Sequence, residues 1–172
     1  MGEGEITDVV ADAGPIIHLY EIRCLSLLGI FERVLLPDAV LHEVCTPGRV
    51  PNEVIASVTQ LSRTSTSISV VESYAKSQGI DHLQAGELAC FALCEERGIR
   101  TLLTDDLAAR DAAARLGITA VGSVGIIARA YRSGLTDLST AEQSLRALQS
   151  VSTLFVTPEL VETAVRALRT TR

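Results

Sequence analysis

Apolar residues follow two patterns along the chain: short β-branched runs, and longer segments in which they recur every three or four positions. Residues 6–11 (ITDVVA) form such a run and end at Asp12-Ala13-Gly14-Pro15. That predicts a buried strand turning sharply into a helix, with Pro15 at the first helical position. The helix, from 15 to about 29, carries Ile16, Leu19, Tyr20 and Leu27 at helical spacing. A short strand over 33–36 is closed by Pro37, and Asp38 caps a helix bearing Val40, Leu41 and Val44 that stops before Pro47-Gly48. Pro51 opens a helix to about 61. The Ser/Thr-rich stretch 62–69 reads as a surface loop, with apolar patterning resuming at Ile68.

The second half is more regular. Asp81 with Gln84 predicts a capping box, and Leu83, Leu88, Phe91, Ala92 and Cys94 keep one apolar helical face until Gly98. Residues 100–104 read as a strand ending in Asp105-Asp106, followed by a helix to Gly117 that packs through Ala109, Ala112, Ala113 and Leu116. A strand over 118–121 passes through Gly122-Ser-Val-Gly125 into a helix to about 132, and two more helices are expected near 137–149 and 158–171. Strands alternating with helices imply parallel pairing and right-handed crossovers. The expected fold is α/β: a three-layer, Rossmann-like α/β/α domain around a central parallel sheet. No repeat of fixed period is present.

Composition sharpens this picture. At 172 residues one domain is expected, with roughly 70% of the unfolded surface buried. Hydrophobic residues make up 47% and aromatics 3%, with no Trp, so Leu, Ile, Val and Ala must build the core. So few aromatics argue against a module that stacks bases on aromatic platforms. Fifteen basic residues against 21 acidic ones give −6, which excludes an all-over basic nucleic-acid coat. Lys76 is the only lysine, leaving little for Schiff-base or P-loop chemistry, whereas arginine suits bidentate phosphate contacts. The acidic start MGEGEITDVV has neither a basic n-region nor an apolar h-region, so no signal peptide is expected. The apolar stretch around 24–31 is far short of the ~18 residues of a spanning helix, so no membrane association is expected. Cysteines 24, 45, 90 and 94 show no CxxC pair. Buried reduced thiols are the expectation, rather than zinc ligands or disulfides, and with them a cytoplasmic location.

In open parallel sheets ligands bind beyond the carboxyl ends of strands. Asp12 ends the first strand and Asp105-Asp106 end the strand from residue 100, while Glu43 and Glu87 lie on helices able to line the same crevice. Each also has a local reading: Asp12, Asp38 and Asp106 as N-caps, Glu43 as a solvated face, and Glu87 as a charge opposing a helix dipole. Gly122 and Gly125 form only a lone GxxG. Four carboxylates converging on one place repel strongly unless cations neutralise them. An oxygen-only set suits Mg²⁺ or Mn²⁺, which activate water and stabilise the leaving oxygen of a phosphodiester.

The segments VADAGPIIHLYEI, VLLPDAVLHEV, HLQAGELACFALCEERG, LLTDDLAARDAAARLGI and VGSVGIIARAYRSGL resemble, in order, successive motifs of the PIN-domain superfamily. The likeness is greatest to a bacterial and archaeal branch related to VapC-type toxin ribonucleases. It spans about residues 8–136, giving an expected nuclease domain over 1–136 and a C-terminal helical extension, 137–172, packed on it. The resemblance implies a Rossmann-like fold and RNA cleavage with Mg²⁺ or Mn²⁺ held by acidic residues. Residue by residue, Asp12 matches the first-strand aspartate and Glu43 the glutamate after the second strand. Glu87, in Gly86-Glu87, stands where many members carry Asp. Thr104-Asp105-Asp106 fits the Thr-any-Asp motif with Asp106 as ligand and Asp105 as the close alternate.

The resemblance also assigns Thr104 to orienting a water or a carboxylate. Arg110, one turn after Asp106, is expected either to meet a phosphate or to pair with Asp106, and Arg49 is a second rim candidate. A homodimer is implied, as is inhibition by an antitoxin whose segment, often bearing an Arg, lies in the acidic crevice. The other reading is a catalytically silent PIN-like scaffold that binds RNA or protein. A haloacid-dehalogenase-type enzyme is disfavoured because Asp12 lacks a second Asp two residues on. A response-regulator receiver is disfavoured by the missing lysine. The terminal helices (Leu138, Leu145, Leu148; Leu160, Val161, Val165, Leu168) are expected to cap an edge of the sheet.

Overall fold

The structure, a computed structural model, describes residues 8–170. The signal-peptide reading and the first two residues of the expected opening strand lie outside them. Among the described residues, β1 (Asp8–Ala11), β2 (Arg33–Pro37), β3 (Leu61–Thr64), β4 (Thr101–Leu103) and β5 (Thr119–Val121) form one parallel sheet in the order β3-β2-β1-β4-β5. Flanking it are α1 (Ala13–Glu21), α2 (Asp38–Val44), α3 (Asn52–Ser57), α4 (Ile68–Gln78), α5 (Ala85–Arg97), α6 (Leu107–Arg115), α7 (Ser123–Arg132), α8 (Leu138–Ser150) and α9 (Pro158–Thr170). The architecture is the three-layer α/β/α expected. No helix among the described residues is long and apolar enough to cross a membrane.

Topology places the site. The chain runs outward from β1 through β2 to β3, then returns to the other side of β1 as β4 and continues to β5. The order reverses between β1 and β4, the switch point at which such sheets leave an open crevice beyond the strand ends. Val9, Val10, Ala11, Leu102 and Leu103 are fully or nearly fully buried, as central parallel strands covered on both faces require. α5 lies across β1, β2 and β4, bringing its first turn over the switch point.

The structure differs from the pattern-based expectations at several places. The helix expected over 15–29 ends at Glu21, and Leu25–Ile30 is a 3₁₀ segment. The break falls at Arg23, whose φ of 60° is left-handed and cannot continue an α-helix. Pro15 is the third residue of α1, still within the first turn where its missing N–H costs no bond. Asp38 is no cap: its carboxylate accepts from Arg63 and Ser65 instead. The helix from Pro51 is only α3, and part of the expected loop 62–69 is β3. Leu61–Thr64 is polar and partly exposed, and it lies at the edge of the sheet with a strand neighbour on one side only. The capping pair at the start of α5 is Gln84 with Glu87, not Asp81 with Gln84. All four cysteines are free, but only Cys90 and Cys94 are fully buried. α8 and α9 pack on α7 and on each other rather than mainly along a sheet edge, burying Ala141, Leu145, Leu148, Val161, Val165 and Leu168.

Candidate active site

Beyond the ends of β1 and β4 lies a cavity of about 310 Å³ whose lining includes Asp12, Glu43, Glu87, Asp105 and Asp106, with His18, Gly14 and Gly86. Five acidic residues from four segments of the chain therefore face one space. Asp12 follows β1 directly, its N–H extending the ladder to the Leu103 carbonyl at 2.9 Å. Although it occupies the N-cap position of α1, its side chain makes no capping bond. The carboxylate instead accepts from the Thr104 hydroxyl at 3.3 Å. Asp12 is only 8% exposed. Burial raises its pKa from 3.8 to about 6; the neighbouring Ala13 N–H works against this, and the charges of Glu43 and Asp106 add to it.

Glu43 and Asp12 converge over the first turn of α5. A Cβ on Gly86 would stand 3.7 Å from Glu43 Oε2 and 3.8 Å from Asp12 Oδ1, so the missing side chain leaves the space between the two carboxylates open. Arg49 donates to Glu43 Oε1 at 2.9 Å. Glu87 is buried, and its Oε2 accepts from the Gln84 N–H at 2.9 Å. Desolvation raises its pKa above the usual range, with the negative charges of Asp106 and Asp12 adding to the effect.

The two strand-end aspartates do different things. Asp106 caps α6, accepting from the Ala109 N–H at 2.9 Å, while its carboxylate still faces Glu87 and Asp12 closely enough to raise both. Asp105 accepts from the Ser123 N–H at 2.7 Å, the Ser123 hydroxyl at 2.6 Å and His18 Nδ1 at 2.8 Å. These three donors hold it in place. Gly122 makes room for this: a Cβ there would lie 2.6 Å from Asp105 Oδ1. Thr104 is fully buried. It donates to Asp12 and accepts from the Asp106 N–H at 3.2 Å, so it holds the Asp12 carboxylate beside the Asp106 backbone. Arg110 Nη1 donates to the Thr104 carbonyl at 3.3 Å rather than pairing with Asp106.

Among the described residues no three His, Cys, Asp or Glu side chains are gathered into a formed metal centre. Each carboxylate is held by its own donor, Glu43 by the Arg49 guanidinium and the others by N–H or hydroxyl groups. The donor set is nonetheless of one kind. Carboxylate oxygens of Asp12, Glu43, Glu87 and Asp106 border an open space, and their mutual repulsion is what a hard divalent cation would relieve. The residues fit such an ion. His18 and Ser123 went unnoticed in the sequence, where the one available signal is the Gly14–His18 spacing that puts both on the face of α1 beside Asp105.

Comparison with known proteins adds one positive result. The DUF3368 family model, described as PIN domain, matches residues 8–170, so the match takes in α8 and α9. No curated protein matches the chain.

Proposed function

We propose, from the chain's membership of the PIN-domain family, whose members are typically nucleases that use divalent metals, that it is a metal-dependent endoribonuclease. In this reading it hydrolyses RNA phosphodiester bonds with Mg²⁺ or Mn²⁺ in the cytoplasm and is the toxin of a toxin–antitoxin pair. The observation that carries the reading is the convergence of acidic side chains on one cavity at the sheet's switch point, with Asp12 raised to about 6.

Asp12, Glu43, Glu87 and Asp106 would hold the metal, with Asp105 fixed behind them by Ser123 and His18. Such an ion, when bound, makes water a competent nucleophile and stabilises the leaving oxygen. The chain's own residues set the geometry. Thr104 joins the Asp12 carboxylate to the Asp106 backbone, so the ends of β1 and β4 keep a fixed separation. Gly86 leaves the approach between Asp12 and Glu43 clear. Arg49, paired with Glu43, and Arg110, on the Thr104 carbonyl, are the cations nearest these carboxylates for a substrate phosphate. The Arg49–Glu43 ion pair supports inhibition by a partner protein, because a guanidinium inserted among these carboxylates satisfies them as a metal would. A homodimer belongs to the same proposal, with exposed Ile68 and Val70 of α4 as the apolar surface on offer.

The test is cleavage of end-labelled single-stranded RNA and of the all-deoxy strand of the same sequence, in Mn²⁺ and in EDTA. Internal cleavage of the RNA in Mn²⁺, abolished by EDTA and weaker on DNA, is expected. No cleavage of any RNA, or cleavage indifferent to EDTA, contradicts the reading; the first result would leave a binding scaffold.

A further inference from the structure

Phe31 and Phe91 are buried, whereas Phe155, the third phenylalanine, is 91% exposed. It sits between α8 and α9, in a segment whose other residues are tied down. The Thr153 N–H and hydroxyl both donate to the Glu21 carboxylate at the end of α1, at 2.7 and 3.0 Å. The Ser152 hydroxyl donates to the Leu148 carbonyl at 2.6 Å and accepts from the Leu154 N–H at 3.2 Å. On the other side Val156 is buried in the core. The ring is therefore presented outward from a fixed backbone. It is presented at a particular place, because Thr153, Leu154 and Phe155 line the same cavity as Asp12, Glu43, Glu87, Asp105 and Asp106.

We propose that Phe155 is the stacking surface for a nucleobase of the single strand held at the acidic cleft. The proposal rests on reading that cleft as a ribonuclease site. An apolar ring beside a cluster of carboxylates suits a ligand with two chemistries close together: a phosphate that the carboxylates would hold through a divalent cation, and a flat apolar face for the ring. A nucleotide has both, and its base can stack by one face while its edges stay hydrated. A protein partner fits less well. A stable interface buries roughly 800 Å² on each side around an apolar centre, whereas here one ring stands beside half-buried Leu154 on an otherwise polar rim. The low aromatic content excludes a platform of many rings. A single ring next to the reacting groups does a narrower job, gripping the base adjoining the bond to be cut.

The experiment compares wild type, Phe155→Ala and Phe155→Tyr on a twelve-nucleotide single-stranded RNA. Mn²⁺-dependent cleavage gives KM. In Ca²⁺, in place of the ions proposed to support cleavage, strands carrying one 2-aminopurine report stacking through quenched fluorescence. Wild type is expected to quench the probe at one strand position and Phe155→Ala at none. KM should rise by roughly 5- to 150-fold in Phe155→Ala, the range that loss of one base–aromatic stack produces. Phe155→Tyr should restore both, and a strand abasic at the quenched position should be handled alike by wild type and Phe155→Ala. Wild-type KM and quenching in Phe155→Ala overturn the proposal while leaving the ribonuclease reading standing. Unchanged strand handling with lost self-association in sedimentation also overturns it, and assigns the ring to a protein contact. A wild-type protein that neither cleaves nor binds any strand overturns both.

Discussion

Asp12→Asn should make the metal-free protein more stable, and only above a definite pH. The folded Asp12 carboxyl binds its proton up to about pH 6, whereas an unperturbed one releases it near 3.8. Between those values the folded chain holds more protons than the unfolded chain, so stability falls as pH rises through this window, and the penalty is complete above about pH 6. At 1.36 kcal/mol for each pH unit between 3.8 and about 6, the full cost is about 3 kcal/mol. Asparagine keeps the size and an acceptor for Thr104, and its amide can donate to the nearby Glu43 carboxylate. Part of the gain is lost in burying that amide, which leaves about 1–2 kcal/mol. For a chain of this length that is a rise in Tm of about 2–8 °C. The assay is thermal melting in EDTA at pH 7.5 and pH 4. The expected result is a higher Tm for Asp12→Asn at pH 7.5 and near-coincident melting at pH 4, where the wild-type carboxyl is protonated too. Equal Tm at pH 7.5, or the same gap at both pH values, would refute the reasoning that burial and neighbouring anions load this group.

Three further substitutions probe the surroundings. Gly122→Ala forces a methyl to within 2.6 Å of Asp105 Oδ1, which Ser123 and His18 prevent from yielding; a loss of about 1–3 kcal/mol in urea melts and reduced cleavage are expected, and wild-type values for both would contradict it. Thr104→Val keeps the shape but removes the hydroxyl between Asp12 and the Asp106 N–H, so stability should fall by about 1–3 kcal/mol and the cleavage rate with it. Leu145→Ala, at a fully buried position of α8, should cost about 2–5 kcal/mol in a single cooperative transition; a separate early transition would show that α8 and α9 unfold apart from the sheet.

Legibility in the sequence followed burial and distance along the chain. β1 and β4 are covered on both faces and read as apolar runs, so their ends, and hence Asp12 and Asp105-Asp106, could be located from residue pattern alone. β3 could not, because an edge strand with half-exposed Ser62, Arg63 and Thr64 carries no apolar signature. The stop in α1 depends on one residue, Arg23, taking a left-handed conformation that arginine does not advertise. The division of labour between Asp105 and Asp106 is set by Ser123 and His18, respectively 18 and 87 positions from Asp105; no local pattern encodes it. Phe155 is held at the cleft in part by the anchoring of Thr153 on Glu21, 132 positions away.

The central claim is that these carboxylates carry out metal-dependent hydrolysis of RNA, and single-turnover cleavage in Mn²⁺ by wild type and Asp12→Asn tests it most directly. If Asp12 holds the metal, the variant loses both nucleophile activation and charge stabilisation, several kcal/mol of barrier or roughly a thousandfold in rate, from a protein that melts no lower than wild type. A variant that cleaves within a few-fold of wild type would contradict the account.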